Sequence, residues 1–570
     1  MNTIERPFTR PTIIRWSFGL LLGAVYGLGI IIPLFDHDSA HHALIGMHMF
    51  LTGDYVSLID RGKDYLDKPH LLFWLSALGD SLLGVGTLAY KLPSLILSLP
   101  GVYATYRLGK RLYSAAVGRN AALILLTSYA YILALNDVRM DALLLSFIIT
   151  ATWLLYEFSQ SRGTLWLIAG SLALAMAFST KGLSGVFVPV LAVGSQVLYS
   201  KNWPFLRSFR WLWVVALFFL FSSPVLYSYY LQYDLHPEKV IRGTSGHSGL
   251  AFILFYQNIE RMEGTNWGSA SGNDPFFFFH TLLWALLPWC LLAYWAVIKK
   301  GLALWNQRLA FTPGREIMTF ITIVVMFTLL SISNFKLPHY LNILFPFFAL
   351  IIAAQLQATT SPHEQRWLLS TQKFVVIVMV AASFFISLYL FPIQNILVGV
   401  LSLGALFLII REWVVPSPWL DKLMGISVAV GIFANLLMNG NFYPQVQTYL
   451  GGLQVAAKVK ELRISPQDIR LYNWESNTLN YYTAHYYESI WADQLKSSGT
   501  MWLAGPEDAI AQALDSASVA AGKSYIFNHF RTTKLNARFL NPATRQAACE
   551  RIVLVQINPS ASGGSSSLPE

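Results

Sequence analysis

Charge is what this sequence has least of. Asp, Glu, Lys and Arg make up 12% of its 570 residues, about half of the roughly 25% usual in soluble proteins. With 55% of residues hydrophobic and 14% aromatic, a globular enzyme on a simple anchor is excluded, and the composition predicts a polytopic helical membrane protein. Cysteine is nearly absent. Cys290 sits in an apolar run and Cys549 near the C-terminus, so no disulfide framework is expected and an exported face must rely on packing. There is no glycine-rich phosphate loop. No internal repeat is visible either, which weighs against the repeat-built secondary transporters. Arg6, Arg10 and Arg15 precede a long apolar run that lacks a small-residue cleavage site, so this segment reads as a first span rather than a cleaved signal. The formal net charge of +10 is assigned to cytoplasmic loops and anionic headgroups, not to nucleic acid.

What is present is a series of long apolar runs. A bilayer core of about 30 Å needs roughly 20 apolar residues per helix. Spans are predicted near 14–34, 87–106, 117–136, 141–158, 164–179, 183–200, 211–230, 276–298, 316–333, 340–357, 372–391, 393–411 and 419–438, about thirteen in all. Lys and Arg gather in alternate short loops (Arg107, Lys110, Arg111 and Arg119; Lys201, Arg207 and Arg210; Lys299 and Lys300). That bias predicts a cytoplasmic N-terminus and an outward C-terminus. Residues 1–439 form the expected transmembrane catalytic domain. Residues 440–570 have ordinary polarity and alternate strand-like runs (470–474, 500–504, 524–527, 552–557) with a helix over 506–513, so a small periplasmic α/β domain with a flexible tail is expected there.

The few charges outside the inner loops cluster at span ends on the outward side. The first loop holds Asp36, Asp38, His41 and His42, then Asp67-Lys68-Pro69-His70. Further turns carry Asp137, Arg139 and Asp141; Lys181; Asn258 and Arg261; and Lys336, His339 and Tyr340. Ionisable groups at membrane depth are costly and generally mark function. Cations there suit the phosphate of a lipid-linked substrate, and a carboxylate suits the proton of an attacking hydroxyl. Blander readings stand beside these. A single Lys or Arg at a span end often only snorkels to headgroups. Arg139 and Asp141 fit a structural pair, Lys336-Leu-Pro338 fits a helix start with proline in its first turn, and His48 fits a packed position. Asp38 has no neighbouring cation in sequence and reads as the least structural of the set. Asp36, His41 and His42 are the expected ligands if a divalent metal is bound, although adjacent residues on a helix diverge by about 100°.

In this order the motifs resemble the GT-C glycosyltransferases of the protein O-mannosyltransferase superfamily, above all the bacterial branch with the lipid A aminoarabinose transferases. The matches are Asp38 after the first span, Asp67-Lys68-Pro69, Arg139-Met-Asp141, Thr180-Lys181-Gly182, Asn258-Ile-Glu-Arg261 with Pro288-Trp289, and Lys336-Leu-Pro-His-Tyr340. They run over residues 14–440. The departures are Asp38-Ser39 with His41-His42 where the family has an Asp-Glu and an Arg-Tyr pair, and Lys-Pro-His where it has Lys-Pro-Pro. These departures put the sugar and the acceptor in question. The resemblance implies an all-α GT-C membrane fold and a polyprenyl-phosphate sugar donor, with undecaprenyl phosphate as the lipid. It also implies inverting transfer to a lipid, glycan or protein acceptor on the periplasmic face of a bacterial inner membrane. Asp38 is then the expected base and Asp141 its assistant. Lys68, Arg261 and Lys336 are expected to clamp the phosphate, with Asp67, Arg139, Lys181, Asn258 and Tyr340 as further substrate contacts. A flippase of lipid-linked sugars, and a polymerase or ligase using lipid diphosphates, are the alternatives.

The orientation is testable directly. A protease added to sealed right-side-out vesicles should remove the domain after residue 440, and inverted vesicles should protect it; the opposite pattern reverses the whole assignment.

Overall fold

The computed structural model describes residues 11–35, 38–241, 243–263, 274–312, 315–497 and 500–558. All thirteen predicted spans coincide with helical segments, some of them made of two consecutive elements. Among the described residues, eight helices are long and apolar enough to cross a membrane by themselves, or nine if a helix pair bent by 55° counts as one span. The protein is a multi-pass membrane protein. Helices α1 (Thr12–Ile31) and α2 (Asp38–Thr52) are followed by a two-stranded hairpin, β1 (Ile59–Asp60) and β2 (Lys63–Asp64). Helices α3 (Leu71–Leu83), α4 (Thr87–Leu112), the bent pair α5 (Ala115–Thr127) and α6 (Tyr129–Asn136), α7 (Asp141–Ser161), α8 (Thr164–Lys181) and α9 (Leu183–Tyr199) come next. Helix α7 is the hub, packed by α4, α8 and α9, and most of its surface is buried within the protein. Helix α1, equally apolar, leaves most of its surface to lipid.

Two polar devices make this packing possible in a medium that offers no water to unpaired groups. The buried Lys91 of α4 reaches the C-terminal end of α1, where its Nζ donates to the carbonyls of Gly29 (3.2 Å) and Ile32 (2.6 Å). Carbonyls at a helix end lack the partners that continuing the helix would give them; the Gly29 carbonyl otherwise receives only a longer bond from Ile32 N–H (3.3 Å). At the α5–α6 bend, Tyr129 N–H donates to the Leu287 carbonyl (3.0 Å) and Trp289 Nε1 to Thr127 Oγ1 (3.0 Å). The bend therefore exchanges helical bonds for bonds to the neighbouring segment, and it directs α6 toward the turn that carries Asp137 and Arg139.

The C-terminal domain is the expected α/β unit. Strands β3 (Ile469–Leu471), β4 (Met501–Pro506), β5 (Ala521–His529) and β6 (Glu550–Ile557) form a sheet in the order β3-β4-β6-β5, with β3 parallel to β4 and the other pairs antiparallel. Strand β3 stops at Leu471, short of the predicted residue 474. In β6, Ile552 and Leu554 face the helix Gly451–Glu461, whereas Val553, Val555 and Ile557 face the helix Glu507–Ala517. An unbroken apolar strand is the mark of a sheet covered on both faces.

The aromatic run 481–487 is a docking seam between the two domains. Tyr482 Oη accepts from Leu34 N–H (2.8 Å) and lies 2.7 Å from Thr87 Oγ1, while Tyr486 Oη donates to the Leu44 carbonyl (2.8 Å). The buried Tyr481 hydroxyl is 3.1 Å from Asp80 Oδ1 and 3.0 Å from the Gly86 carbonyl. One hydroxyl proton can serve only one of two acceptors, and a protonated Asp80 resolves the conflict. Burial pushes the Asp80 carboxyl up to about 7, against the opposing hydrogen bonds of Tyr481 and Gly86. A carboxyl whose folded pKa is raised gives a contribution that is complete below its unfolded value, near 4, and lost as pH climbs through about 7. The melting temperature of Asp80→Asn in detergent should therefore fall less than that of the unaltered protein between pH 5 and 8 (about 1.4 kcal/mol per pKa unit). Parallel curves would refute a titrating Asp80.

Candidate functional site

The site is built at helix ends. Asp38 is the first residue of α2 and Asp141 the first of α7, where the positive end of the helix dipole favours a carboxylate. Lys181 is the last residue of α8, where the negative end favours a cation. Asp141 and Lys181 meet at 2.9 Å and are almost fully buried. The Lys181 ammonium also lies 4.5 Å over the Tyr340 ring, a favourable cation–π distance. His339 Nε2 stands 3.8 Å from the second oxygen of Asp141.

Arg139 does not pair with Asp141. Its Nη1 is 2.9 Å from Asp38 Oδ2, and its Nε and Nη2 donate to Asp137 Oδ2 at 2.9 and 2.6 Å. Its Nη1 is also 3.2 Å from His339 Nδ1. The expectation that Asp38 lacks a neutralising cation is therefore corrected: the cation comes from a turn 101 positions away in sequence. Asp38 remains open, its side chain 37% exposed.

Two cavities share this carboxylate. One, of about 700 Å³, has a polar end formed by Asp38, Asp137, Arg139, Asp141 and His339 and an apolar wall from α6, Trp284 and Phe335. The other, of about 500 Å³, is bounded by Asp38, His41, Asp60, Arg61 and the C-terminal domain. Arg531 and Thr533 border both, and Lys534 borders the first. The C-terminal domain thus borders the site, as its expected place on the outward face and an expected role in acceptor access allow, although no local pattern marks which of its residues do so. Asp60, Arg61, Arg531 and Lys534 were missed because no local pattern sets them apart from ordinary surface charges. Asp137 and His339 sat inside the quoted motifs without a role.

Three motifs converge on one carboxamide. Gln257 Nε2 donates to the Asp67 carbonyl (2.6 Å), ordering the Asp67-Lys68 segment. Gly182 ends α8 with φ +67°, and a Cβ there would stand 2.6 Å from Gln257 Oε1. The positive φ favours glycine, and a Cβ would displace the Gln257 carboxamide, which accounts for the Thr-Lys-Gly turn. Asn258 and Arg261 follow on the same helix, Gln257–Glu263, but their side chains lie outside the described residues. Lys68 is half-buried near enough to His42 to act on it electrostatically. The buried Lys336 donates to the Asp274 carbonyl (2.9 Å), and Pro338 does open a helix, Pro338–Leu344.

The histidines divide. His41 Nε2 is 3.0 Å from Asp60 Oδ2. His42 stacks on His41 at 5.7 Å and packs edge-on to Phe73. Burial, then His41, holds the His42 imidazole well below its ordinary pKa. Asp36 lies outside the described residues. Among the described residues no group of three His, Cys, Asp or Glu is arranged to hold a metal. His70 turns inward, its Nε2 2.8 Å from the Val56 carbonyl, against Trp74 and Tyr229. The Lys-Pro-His departure therefore serves the loop's packing rather than the cavity wall. His48 packs edge-on to Tyr486, as expected.

Comparison with known proteins agrees with this geometry. A family model described as dolichyl-phosphate-mannose-protein mannosyltransferase matches residues 67–228. The undecaprenyl phosphate-alpha-4-amino-4-deoxy-L-arabinose arabinosyl transferase of Edwardsiella ictaluri is 26% identical over 412 residues, 69% of this chain and 65% of that protein. The Pseudomonas aeruginosa protein of the same name is 25% identical over 57% of each chain. The matches thus span less than two thirds of these relatives' length. The crystal structure of ArnT from Cupriavidus metallidurans bound to undecaprenyl phosphate superposes with a TM-score of 0.70 at 17% identity, covering 98% of this chain and 100% of that one. The fold is that of the ArnT structure. Its likeness is to the aminoarabinose transferases, and it extends through the C-terminal domain, beyond the stretch that the motifs cover.

The Asp141–Lys181 pair is buried support for the site and should behave so. Removing one partner of a buried pair costs about 3–5 kcal/mol, whereas replacing both by apolar residues is often near neutral. Lys181→Met should therefore lower the melting temperature in detergent, and Lys181→Met/Asp141→Leu should recover most of the loss. A double variant no better than the single one would mean that the charges themselves are required.

Proposed function

We propose that this protein is an inverting glycosyltransferase of a bacterial inner membrane. It takes a sugar from a polyprenyl-phosphate donor, with undecaprenyl phosphate as the lipid, and passes it to an acceptor on the periplasmic face. The observation that carries this reading is the position of Asp38, in an ion pair with Arg139 and on the boundary of two cavities. One cavity is apolar along one side and charged at its end, as a lipid with an anionic head requires; the other is polar. The relatives' names support the donor class.

In the proposed reaction the acceptor oxygen attacks the anomeric carbon from the face opposite the phosphate. The bond from that carbon to the phosphate oxygen breaks, and the lipid phosphate leaves with the electron pair. Asp38 takes the acceptor proton, with Arg139 fixing its direction. The charge that grows on the leaving phosphate is met by cations at the membrane edge. Lys68, Lys336 and Arg261 are assigned here, and Lys534 is added from the C-terminal domain. Arg139 and Lys181, each already held by carboxylates, orient the site instead. Asp141 is reassigned from assistant base to anchor, because it is buried against Lys181.

Asp38→Asn should lower transfer by about 10²–10⁴ in protein that remains folded; near-normal turnover would remove Asp38 from the chemistry. Lys68→Ala and Lys336→Ala should each weaken donor affinity by roughly 10–100-fold, the worth of a charge-assisted contact, with little change in acceptor KM. A divalent ion held by His41 or His42 with Asp36 or Asp38 belongs to the same proposal as an alternative assignment of those residues. Activity that is lost in chelator and restored by one metal would select it, and activity retained in chelator would leave His41 to the acceptor side.

A further inference from the structure

We propose that His339 Nε2 and Asp141 Oδ2 together bind a hydroxyl at the charged end of the 700 Å³ cavity, and that this hydroxyl belongs to the sugar being transferred. This deepens the transferase reading and rests on it. The hydrogen of His339 is placed by its neighbour. Arg139 Nη1 lies 3.2 Å from His339 Nδ1, and a guanidinium has hydrogens to give and no lone pair to receive one. Nδ1 is therefore the acceptor, and the neutral ring carries its hydrogen on Nε2. The Tyr340 ring packs edge-on against the imidazole at 5.0 Å. Nε2 stands 3.8 Å from Asp141 Oδ2, too far for the two to bond each other. Asp141 spends its other oxygen on Lys181 (2.9 Å). A donor and an acceptor thus stand side by side on residues that border the cavity. Among the described residues neither atom has a hydrogen-bond partner, and neither is sealed away from solvent.

A group that takes the hydrogen of Nε2 and gives one to Oδ2 must accept and donate at once. A sugar hydroxyl does both. A phosphate oxygen only accepts, and here it would meet the Asp141 carboxylate. An ammonium only donates. It would set its hydrogens against Nε2–H and enter beside the Arg139 guanidinium and the Lys181 ammonium. The relatives are named for transfer of 4-amino-4-deoxy-L-arabinose; this pair instead selects a sugar with a hydroxyl, not a protonated amine, at the position it holds. The hydroxyl is the donor sugar's and not the acceptor's, because neither His339 nor Asp141 borders the second cavity. One guanidinium nitrogen links the pair to the base: Arg139 Nη1 is 2.9 Å from Asp38 Oδ2 and 3.2 Å from His339 Nδ1. The pair moves no proton. It fixes the sugar ring between the apolar wall and Asp38, and His339 sets which substituent is tolerated there.

The test uses the full chain in detergent and measures affinity for farnesyl phosphate and for its glycosyl esters with glucose, galactose, mannose and arabinose. At least one ester should bind roughly tenfold tighter than farnesyl phosphate itself. Among the monodeoxy analogues of that ester, one should lose roughly tenfold. The amino analogue at the same carbon, at a pH where the amine is protonated, should bind no better than the deoxy compound. In His339→Phe, which keeps a ring against Tyr340, the penalty for that deoxygenation should shrink about threefold or more. Melting temperatures identify a variant that has lost its fold, and His339→Leu then stands in. The inference is overturned if no ester outbinds farnesyl phosphate, or if the amino analogue binds as well as the hydroxyl compound. It is equally overturned if each deoxygenation costs the same with and without His339, which would leave only water at the pair. Native mass spectrometry of the unaltered protein with undecaprenyl phosphate tests the lipid separately. Absence of lipid binding there sinks the transferase reading, whereas lipid binding without the hydroxyl dependence sinks only the hydroxyl site.

Discussion

The ion pair between Asp38 and Arg139 is the constraint on which the rest of the site depends. It joins the N-terminus of α2, in the first loop, to the turn before α7, a helix largely buried within the bundle. Arg139 spends its remaining donors on Asp137 and approaches His339, so the first loop, the α6–α7 turn and the segment after residue 336 are held by one guanidinium. A planar fork with several fixed donors can do this, and a lysine ammonium cannot. The carboxylate is thereby aimed without being enclosed, and it stands where the two cavities meet.

The architecture was legible in the sequence because the bilayer imposes it. Apolar runs of the required length became helices, and Lys336-Leu-Pro338 opened a helix as its proline predicts. Strands in the C-terminal domain fell within a few residues of their expected places, because continuous apolar runs such as 552–555 have few alternatives. What the sequence concealed was pairing at long range. Asp38 looked solitary, and Arg139 and Asp141 looked like partners, because only near neighbours can be read along a chain. In three dimensions Arg139 turns to Asp38 and Asp137, and Asp141 turns to Lys181. The inward turn of His70 was hidden for the same reason: nothing local shows that Val56 and Tyr229 close over it.

The C-terminal domain illustrates a second limit. Its polarity is ordinary, so its contribution could not be told from solvated surface. The hydroxyls of Tyr481, Tyr482 and Tyr486 bind the membrane domain at Asp80, Thr87 and the Leu44 carbonyl. By fastening the domain down, they bring Arg531, Thr533 and Lys534 over the cavities. Side chains that make no contact with substrate thus decide which ones do.

The carboxamide of Gln257 carries a consequence for how such a sequence can vary. It bonds the backbone of Asp67 and occupies the space that a side chain at position 182 would need. The Asp-Lys-Pro, Thr-Lys-Gly and Asn-x-x-Arg motifs are therefore not separate inventions that drift independently. A change at one shifts the footing of the others, so acceptable substitutions should come in sets. Grafting a single motif from a relative with a different sugar would move the cations of its neighbours as well. Specificity in this scaffold is better altered at the rim supplied by the C-terminal domain, which the shared glutamine does not touch.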